Sequence, residues 1–129
     1  MMLLKDKIFE RFFMALFCLV VVLLTLPVYA DEFERATEAV NRQDYETAYK
    51  MFVPLAENGH AAAQLVLGMM YFKGKGVQKN NIEACKWLLI SETLGQEAGK
   101  KNRIFVERQM TSDQVSQAHK LANVWLKTR

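Results

Sequence analysis

The sequence contains few of the residues that an active site usually needs. Its 129 residues include two cysteines and two histidines, and neither His60 nor His119 has a second histidine or a cysteine at metal-ligand spacing. Gly74-Lys75-Gly76 lacks the preceding strand and the Gly-Lys-Ser/Thr ending of a phosphate loop, and no Gly-x-Ser-x-Gly elbow occurs. The carboxylates are scattered and predict no acid–base pair. We therefore expect a non-enzymatic protein without catalytic, cofactor-binding or metal-binding residues.

The first 30 residues have the composition of a signal peptide. Basic residues precede an uncharged apolar run over residues 12–26, and Val28 and Ala30 have the spacing that a signal peptidase reads. This pattern predicts cleavage before Asp31 and a periplasmic or secreted location in a bacterium. A membrane-spanning helix needs about 20 apolar residues, so the run of 15 favours cleavage over a retained membrane anchor.

Cleavage would leave residues 31–129, which is enough chain for one small domain. This part has 14 basic and 12 acidic residues, a balance that gives no reason to expect a nucleic-acid partner. It has Cys85 as its single cysteine, so an intramolecular disulfide is excluded. Cys85 is then either a small packing residue or a thiol available for an intermolecular disulfide or other reaction.

The stretch 61–91 predicts two helices joined by a glycine loop. Gly74 and Gly76 favour a tight turn, and Asn80 is a candidate N-cap for the second helix. Each helix has one face of residues at three- and four-residue spacing. These faces consist of Ala63, Leu67, Met70 and Tyr71 in the first helix and of Ala84, Trp87, Leu88 and Ser91 in the second. The pattern is typical of an antiparallel helical hairpin.

This hairpin resembles a Sel1-like repeat, a relative of the tetratricopeptide repeat. The matching residues, in order, are Ala63, Leu67-Gly68, Tyr71, Gly74, Gly76-Val77, Ala84 and Trp87. The resemblance implies an all-α fold in which antiparallel helical hairpins stack as a short Sel1/TPR-like α-solenoid. It also implies an adaptor that binds a protein or peptide partner, and the predicted leader would export this adaptor to the cell envelope.

Two other functions stay open beside the adaptor. A secreted branch of the Sel1-like family carries one disulfide per repeat and is linked to β-lactam binding or hydrolysis. The missing cysteine pairs therefore disfavour a β-lactamase-like or other cell-envelope hydrolase, but they leave it as an alternative. A membrane-tethered adaptor is the second alternative, since a retained leader would hold the protein at the membrane.

The segments on either side of the repeat complete the domain. Residues 31–58 predict a divergent hairpin whose second helix is capped by Asp44, residues 60–94 hold the Sel1-like repeat, and residues 95–129 hold the C-terminal helix and cap. The spacing over residues 95–110 predicts a helix with Ala98, Phe105 and Val106 towards the core. Thr111 and Gln114 have capping-box spacing at the start of the last helix, for which Val115, Ala118, Leu121, Ala122 and Leu126 predict one apolar stripe.

Two surface features could contact a partner. Leu65, Met69 and Phe72 lie on the side of the first repeat helix opposite its core face, so they form either the floor of a small protein-binding groove or a surface that segments 33–40 and 95–110 cover. Lys100, Lys101 and Arg103 form a basic patch, which is either a solvated helix face or a docking site for an acidic partner or anionic lipid. Exposed ends of so short an array also make self-association possible.

Overall fold

A computed structural model of the chain describes residues 2–129, without the side chains of residues 2, 3 and 23–30. The described residues contain no β-strand and form six helices. These are α1 (Met2–Asn41), α2 (Tyr45–Glu57), α3 (Ala61–Lys73), α4 (Asn81–Thr93), α5 (Glu97–Glu107) and α6 (Ser112–Lys127). The chain divides into two compact units, Met1–Glu34 and Arg35–Arg129.

The first unit contains the whole of the predicted leader, residues 1–30. Its apolar side chains are exposed over residues 4–22, as shown by Phe12, which is 75% exposed. No helix in the described part of the chain reaches the length and apolarity that a membrane crossing requires. Val28 and Ala30 lie outside the described side chains, and cleavage before Asp31 stays a prediction.

The second unit confirms the predicted all-α solenoid. Its helices pack mainly on their neighbours along the chain: α2 contacts α3, α3 contacts α4, and α4 contacts both α5 and α6. Small and apolar side chains fill the interior between these helices, and the largest fully buried ones include Phe52, Leu67, Leu88 and Ile90. Such pairwise burial is how a repeat array builds a continuous core.

The hairpin α3–α4 has the predicted loop and the closest helix contact. Gly74 and Gly76 have φ of 64° and 72°, which only glycine adopts without strain. The Asn80 side chain accepts hydrogen bonds from the backbone N–H groups of residues 82 and 83, so it caps α4 as predicted. At Gly68 an added Cβ would lie 2.8 Å from Leu88 Cγ, which shows how near the two helices are.

The first hairpin also follows its sequence pattern. Asp44 accepts a hydrogen bond from the backbone of Thr47 at 3.2 Å and caps α2 as predicted. The inner face of α2 buries Ala48, Phe52, Leu55 and Ala56. Tyr49 and Tyr71 place their hydroxyl oxygens 2.9 Å apart and tie α2 to α3.

The inward face of α5 differs from the prediction. Val106 is fully buried as predicted, but Ala98 and Phe105 are exposed, and Phe105 is 53% exposed. The reason is Gly99, where an added Cβ would lie 2.8 Å from the Glu92 nitrogen of α4. Because α5 approaches α4 through this glycine, the face formed by residues 99, 103 and 106 turns inward and carries residues 98 and 105 outward.

The last helix begins and packs largely as predicted. Thr111 and Gln114 form a complete capping box, with both reciprocal hydrogen bonds present. Ala118 and Ala122 are fully buried, whereas Leu121 is 38% exposed and lies at the edge of the predicted stripe.

Candidate functional site

The structure brings the three predicted groove residues together on one face of α3. Leu65, Met69 and Phe72, hereafter the α3 stripe, are all half-buried. Each packs against the core cluster of buried residues formed by Ala84, Cys85, Leu88, Val106 and Ala118. The stripe is therefore partly covered from within the unit and partly open to solvent.

Met69 lies at the edge of a surface pocket of about 200 Å³. The pocket is lined by Val40, Tyr45, Val66, Met69, Met70, Lys73 and Lys75. The Lys75 Nζ atom lies 4.7 Å from the centre of the Tyr45 ring, a cation–π distance that keeps a positive charge at the rim. The pocket thus combines apolar walls with lysines at its edge.

Phe72 extends this surface towards α5. Its ring meets the ring of Phe105 edge to face, with the centres 5.6 Å apart and the planes at 78°. Lys79 Nζ lies 5.2 Å from the centre of the Phe72 ring. The outward position of Phe105, which the sequence pattern did not predict, therefore adds an exposed aromatic ring next to the α3 stripe.

Met69 and Phe72 are three residues apart on α3, so the pocket and the aromatic pair are neighbours on one helix face, and both have lysines nearby. We name this area the lysine-rimmed surface, and it consists of Val40, Tyr45, Met69, Phe72 and Phe105 with Lys73, Lys75 and Lys79. Within the described part of the chain, none of the three lysines pairs with a carboxylate. Their charges are thus available to an acidic group of a binding partner.

The predicted basic patch on α5 is wrong at Arg103, which is not part of an open surface. Its side chain is 15% exposed and donates from Nε to Glu92 at 2.7 Å and from Nη1 to Glu107 at 2.8 Å. Two carboxylates raise the pKa of Arg103 further above its ordinary value, against the effect of its burial. Lys100 and Lys101 remain exposed.

Glu107 connects this ion pair to the last helix. His119 Nε2 lies 2.8 Å from Glu107 Oε1, so α4, α5 and α6 are joined through Glu92, Arg103, Glu107 and His119, hereafter the charge network. Burial acts to raise the pKa of Glu107, but hydrogen bonds from His119 and Arg103 and the Arg103 charge outweigh it and hold the pKa below its ordinary value. The only sequence signal for this network was the four-residue spacing of Arg103 and Glu107.

Comparison with known proteins agrees with the repeat geometry. The family model of the Sel1 repeat matches residues 37–60 and 61–95. A solved structure of a protective antigen present in uropathogenic Escherichia coli strains, described as displaying an SLR fold, superposes with a TM-score of 0.73 at 27% identity. The similarity covers 77% of this chain but 22% of that chain, so this protein spans about a fifth of the antigen's length. No curated protein matches the sequence significantly.

Proposed function

The chain is a Sel1-like repeat protein, and we propose that it is an exported, non-enzymatic module that binds an apolar segment with acidic flanks from a partner protein. Repeats of this kind serve generally as protein-interaction modules. The observation that carries the proposal is the lysine-rimmed surface, where an exposed aromatic ring and a pocket lie beside three unpaired lysines. Such a surface suits a helix or extended peptide.

The apolar part of the surface would supply most of the binding free energy. Phe105 is 53% exposed and stands against Phe72, so a partner side chain placed there would cover both rings. Aromatic residues packed in this way are frequent centres of binding energy at protein interfaces. Met69 at the nearby pocket can adapt its shape to the entering side chain.

The lysines would select the partner by charge. Lys73, Lys75 and Lys79 all border the same apolar area, so aspartate or glutamate residues on either side of the bound segment would face a positive charge. Exposed charges of this sort affect association rate and choice of partner more than they affect final affinity. We therefore expect binding that weakens as salt is added.

Selection of peptides from a random display library by the purified chain tests this proposal. We expect enriched peptides that combine apolar positions with nearby aspartate or glutamate, and we expect Phe105→Glu to abolish their binding. Val124→Glu is the matched control, since Val124 is 56% exposed on α6 and lies outside the lysine-rimmed surface. Enrichment of peptides without acidic residues, or binding that survives Phe105→Glu, would overturn the proposed site.

Export is the second half of the proposal and rests on the signal-peptide pattern of residues 1–30. Expression of the full chain in a Gram-negative host, followed by fractionation and N-terminal sequencing, tests it directly. The expected result is a periplasmic or secreted product that begins at Asp31. A cytoplasmic product of full length would contradict export, and a membrane-bound product of full length would instead indicate the tethered adaptor.

A further inference from the structure

A sulfur, an oxygen and a nitrogen ligand from three helices meet at one place in the second unit. Cys85 Sγ of α4, Glu107 Oε1 of α5 and His119 Nε2 of α6 all lie within 4.8 Å of one another. Thiolate, carboxylate and imidazole are together the ligands of Zn²⁺ and similar borderline-soft cations. We propose that Cys85, Glu107 and His119 form a binding site for a divalent cation of the zinc type.

Of the three distances between the ligand atoms, the one from Cys85 Sγ to Glu107 Oε1 matches a tetrahedral site. Cys85 Sγ and the His119 nitrogen lie within 4.8 Å of each other, and the edge that they must reach when a cation binds is about 3.5 Å. With metal–ligand bonds of about 2.0 Å to nitrogen and oxygen and 2.3 Å to sulfur, the edges of a tetrahedron are about 3.3 Å for nitrogen to oxygen and about 3.5 Å for sulfur to oxygen. Cys85 Sγ lies 3.5 Å from Glu107 Oε1. His119 Nε2 lies 2.8 Å from the same oxygen, so the imidazole needs to withdraw by about 0.5 Å when the cation replaces their hydrogen bond.

The neighbouring charges favour a cation in spite of Arg103. The Arg103 guanidinium is shared between Glu92 and Glu107. Arg103, Glu92 and Glu107 together therefore carry one net negative charge before the Cys85 thiol ionises. Arg103 Nη1 lies 2.8 Å from Glu107 Oε1 and 2.9 Å from Oε2, so a cation on Oε1 displaces the first hydrogen bond and leaves the second in place. Arg103 then acts as the outer partner that orients a ligating carboxylate.

The site is buried on the Cys85 side and open to solvent on the His119 side. Cys85 is fully buried, whereas the His119 side chain is 41% exposed, so a cation reaches the site from the α6 side. Burial, followed by the negative charge of Glu107, raises the pKa of Cys85 to about 12, and the metal-free thiol is therefore protonated. Binding forms the metal–sulfur bond, breaks the S–H bond and releases one proton to solvent.

Three protein ligands leave a further coordination position for water. A cation held in this way would join α4, α5 and α6 at one point. It would therefore stabilise the folded state, by an amount that rises with the logarithm of its concentration once that concentration exceeds the dissociation constant. The effect would fall on the C-terminal hairpin, which has the fewest buried side chains.

Titration with Co²⁺ tests the site, because thiolate ligation gives a charge-transfer band in the near ultraviolet that carboxylate and imidazole ligands alone do not give. The purified full chain, kept in a mild detergent because of its exposed apolar residues near the N-terminus, is expected to bind one equivalent with this band. Added Zn²⁺ should displace Co²⁺ and raise the thermal midpoint.

Three variants decide between this site and any other. Cys85→Ser should remove the charge-transfer band, and His119→Gln, at a partly exposed position that tolerates the change, should weaken binding about a hundredfold or more. His60→Asn is the matched control, because it removes the other histidine of the chain but keeps an N-cap side chain on α3. Absence of the band in the folded wild type, or unchanged binding in folded His119→Gln, would overturn the proposal.

Discussion

The central hairpin α3–α4 and the C-terminal hairpin, which is the pair of consecutive helices α5 and α6, are held in different ways. Helix α3 packs directly on α4, whereas α5 and α6 each pack on α4 and hardly on each other. In the central hairpin, eleven residues of the two helices are buried. At Gly68 the backbone of α3 comes so near to Leu88 that no side chain fits. In the C-terminal hairpin the buried residues are four, namely Gly99, Val106, Ala118 and Ala122.

Polar contacts hold α5 and α6 in place, where few apolar side chains are buried. The charge network joins α5 and α6 to α4 through two carboxylates, one guanidinium and one imidazole, with distances of 2.7–2.8 Å between paired atoms. Interior packing depends little on pH or salt, whereas paired charges depend on both. The two hairpins should therefore respond differently to the same perturbation.

The largest difference is expected when apolar volume is removed. Leu88 is fully buried between α3 and α5, so Leu88→Ala should lower the free energy of unfolding by about 3 kcal/mol through lost transfer energy and a cavity. Leu121 on α6 is 38% exposed, and Leu121→Ala should cost about 1 kcal/mol or less. Urea denaturation of both variants measures the difference. Equal losses would show that the C-terminal hairpin relies on packing as much as the central one.

The second difference concerns charge. Arg103→Met leaves Glu92 and Glu107 half-buried without their shared partner, and it should lower the free energy of unfolding by about 2 kcal/mol. Lys101→Met on the same helix is exposed and should change it by less than about 0.5 kcal/mol. The same denaturation measurement applies. A loss at position 103 no larger than at position 101 would mean that the charge network contributes nothing to stability.

The third difference concerns acid sensitivity. Its effect on the free energy of unfolding should be smaller than the loss expected for Arg103→Met. The pKa of Glu107 is below its ordinary value of 4.5 in the folded protein, so the stability that this carboxylate contributes is complete above about pH 4.5 and is lost as pH falls through the lower folded value. Glu107→Gln should remove this part of the acid sensitivity. Glu97→Gln, at an exposed position of α5, should leave it in place.

Stability curves against pH for the wild type and both variants show the effect as a difference between curves. A parallel course for wild type and Glu107→Gln below pH 4.5 would mean that the carboxylate titrates in the folded protein as it does in the unfolded one. The lowered pKa of Glu107 would then have no consequence for folding.

The difference between the hairpins also explains what the sequence could predict. Periodicity and turn chemistry are local signals, so the glycine loop, the Asn80 cap and the capping box at Thr111 were predicted and are present. The rotation of α5 was not predicted, because it depends on the contact of Gly99 with α4, which is a tertiary contact between two helices.

The candidate sites follow the same division. The α3 stripe could be predicted from spacing within one helix, and its role in binding stays a prediction. The candidate cation site could not be predicted from the sequence. Its residues, Cys85, Glu107 and His119, come from three helices and have no regular spacing. Only the packing of α5 and α6 on α4 brings them together.

The smallest difference is expected at the helix caps, where both hairpins use the same local chemistry. Asn80 and Thr111 each accept a hydrogen bond from the backbone N–H of the third residue of their helix, so Asn80→Ala and Thr111→Ala should each cost about 1 kcal/mol. Asn80→Asp is the control, since aspartate caps equally well and should leave the free energy of unfolding within about 0.5 kcal/mol of the wild type. Equal losses at the two caps would place the difference between the hairpins in tertiary contacts. A clearly larger loss at Thr111 would show instead that the C-terminal hairpin, which has few buried side chains, depends on the local stability of α6.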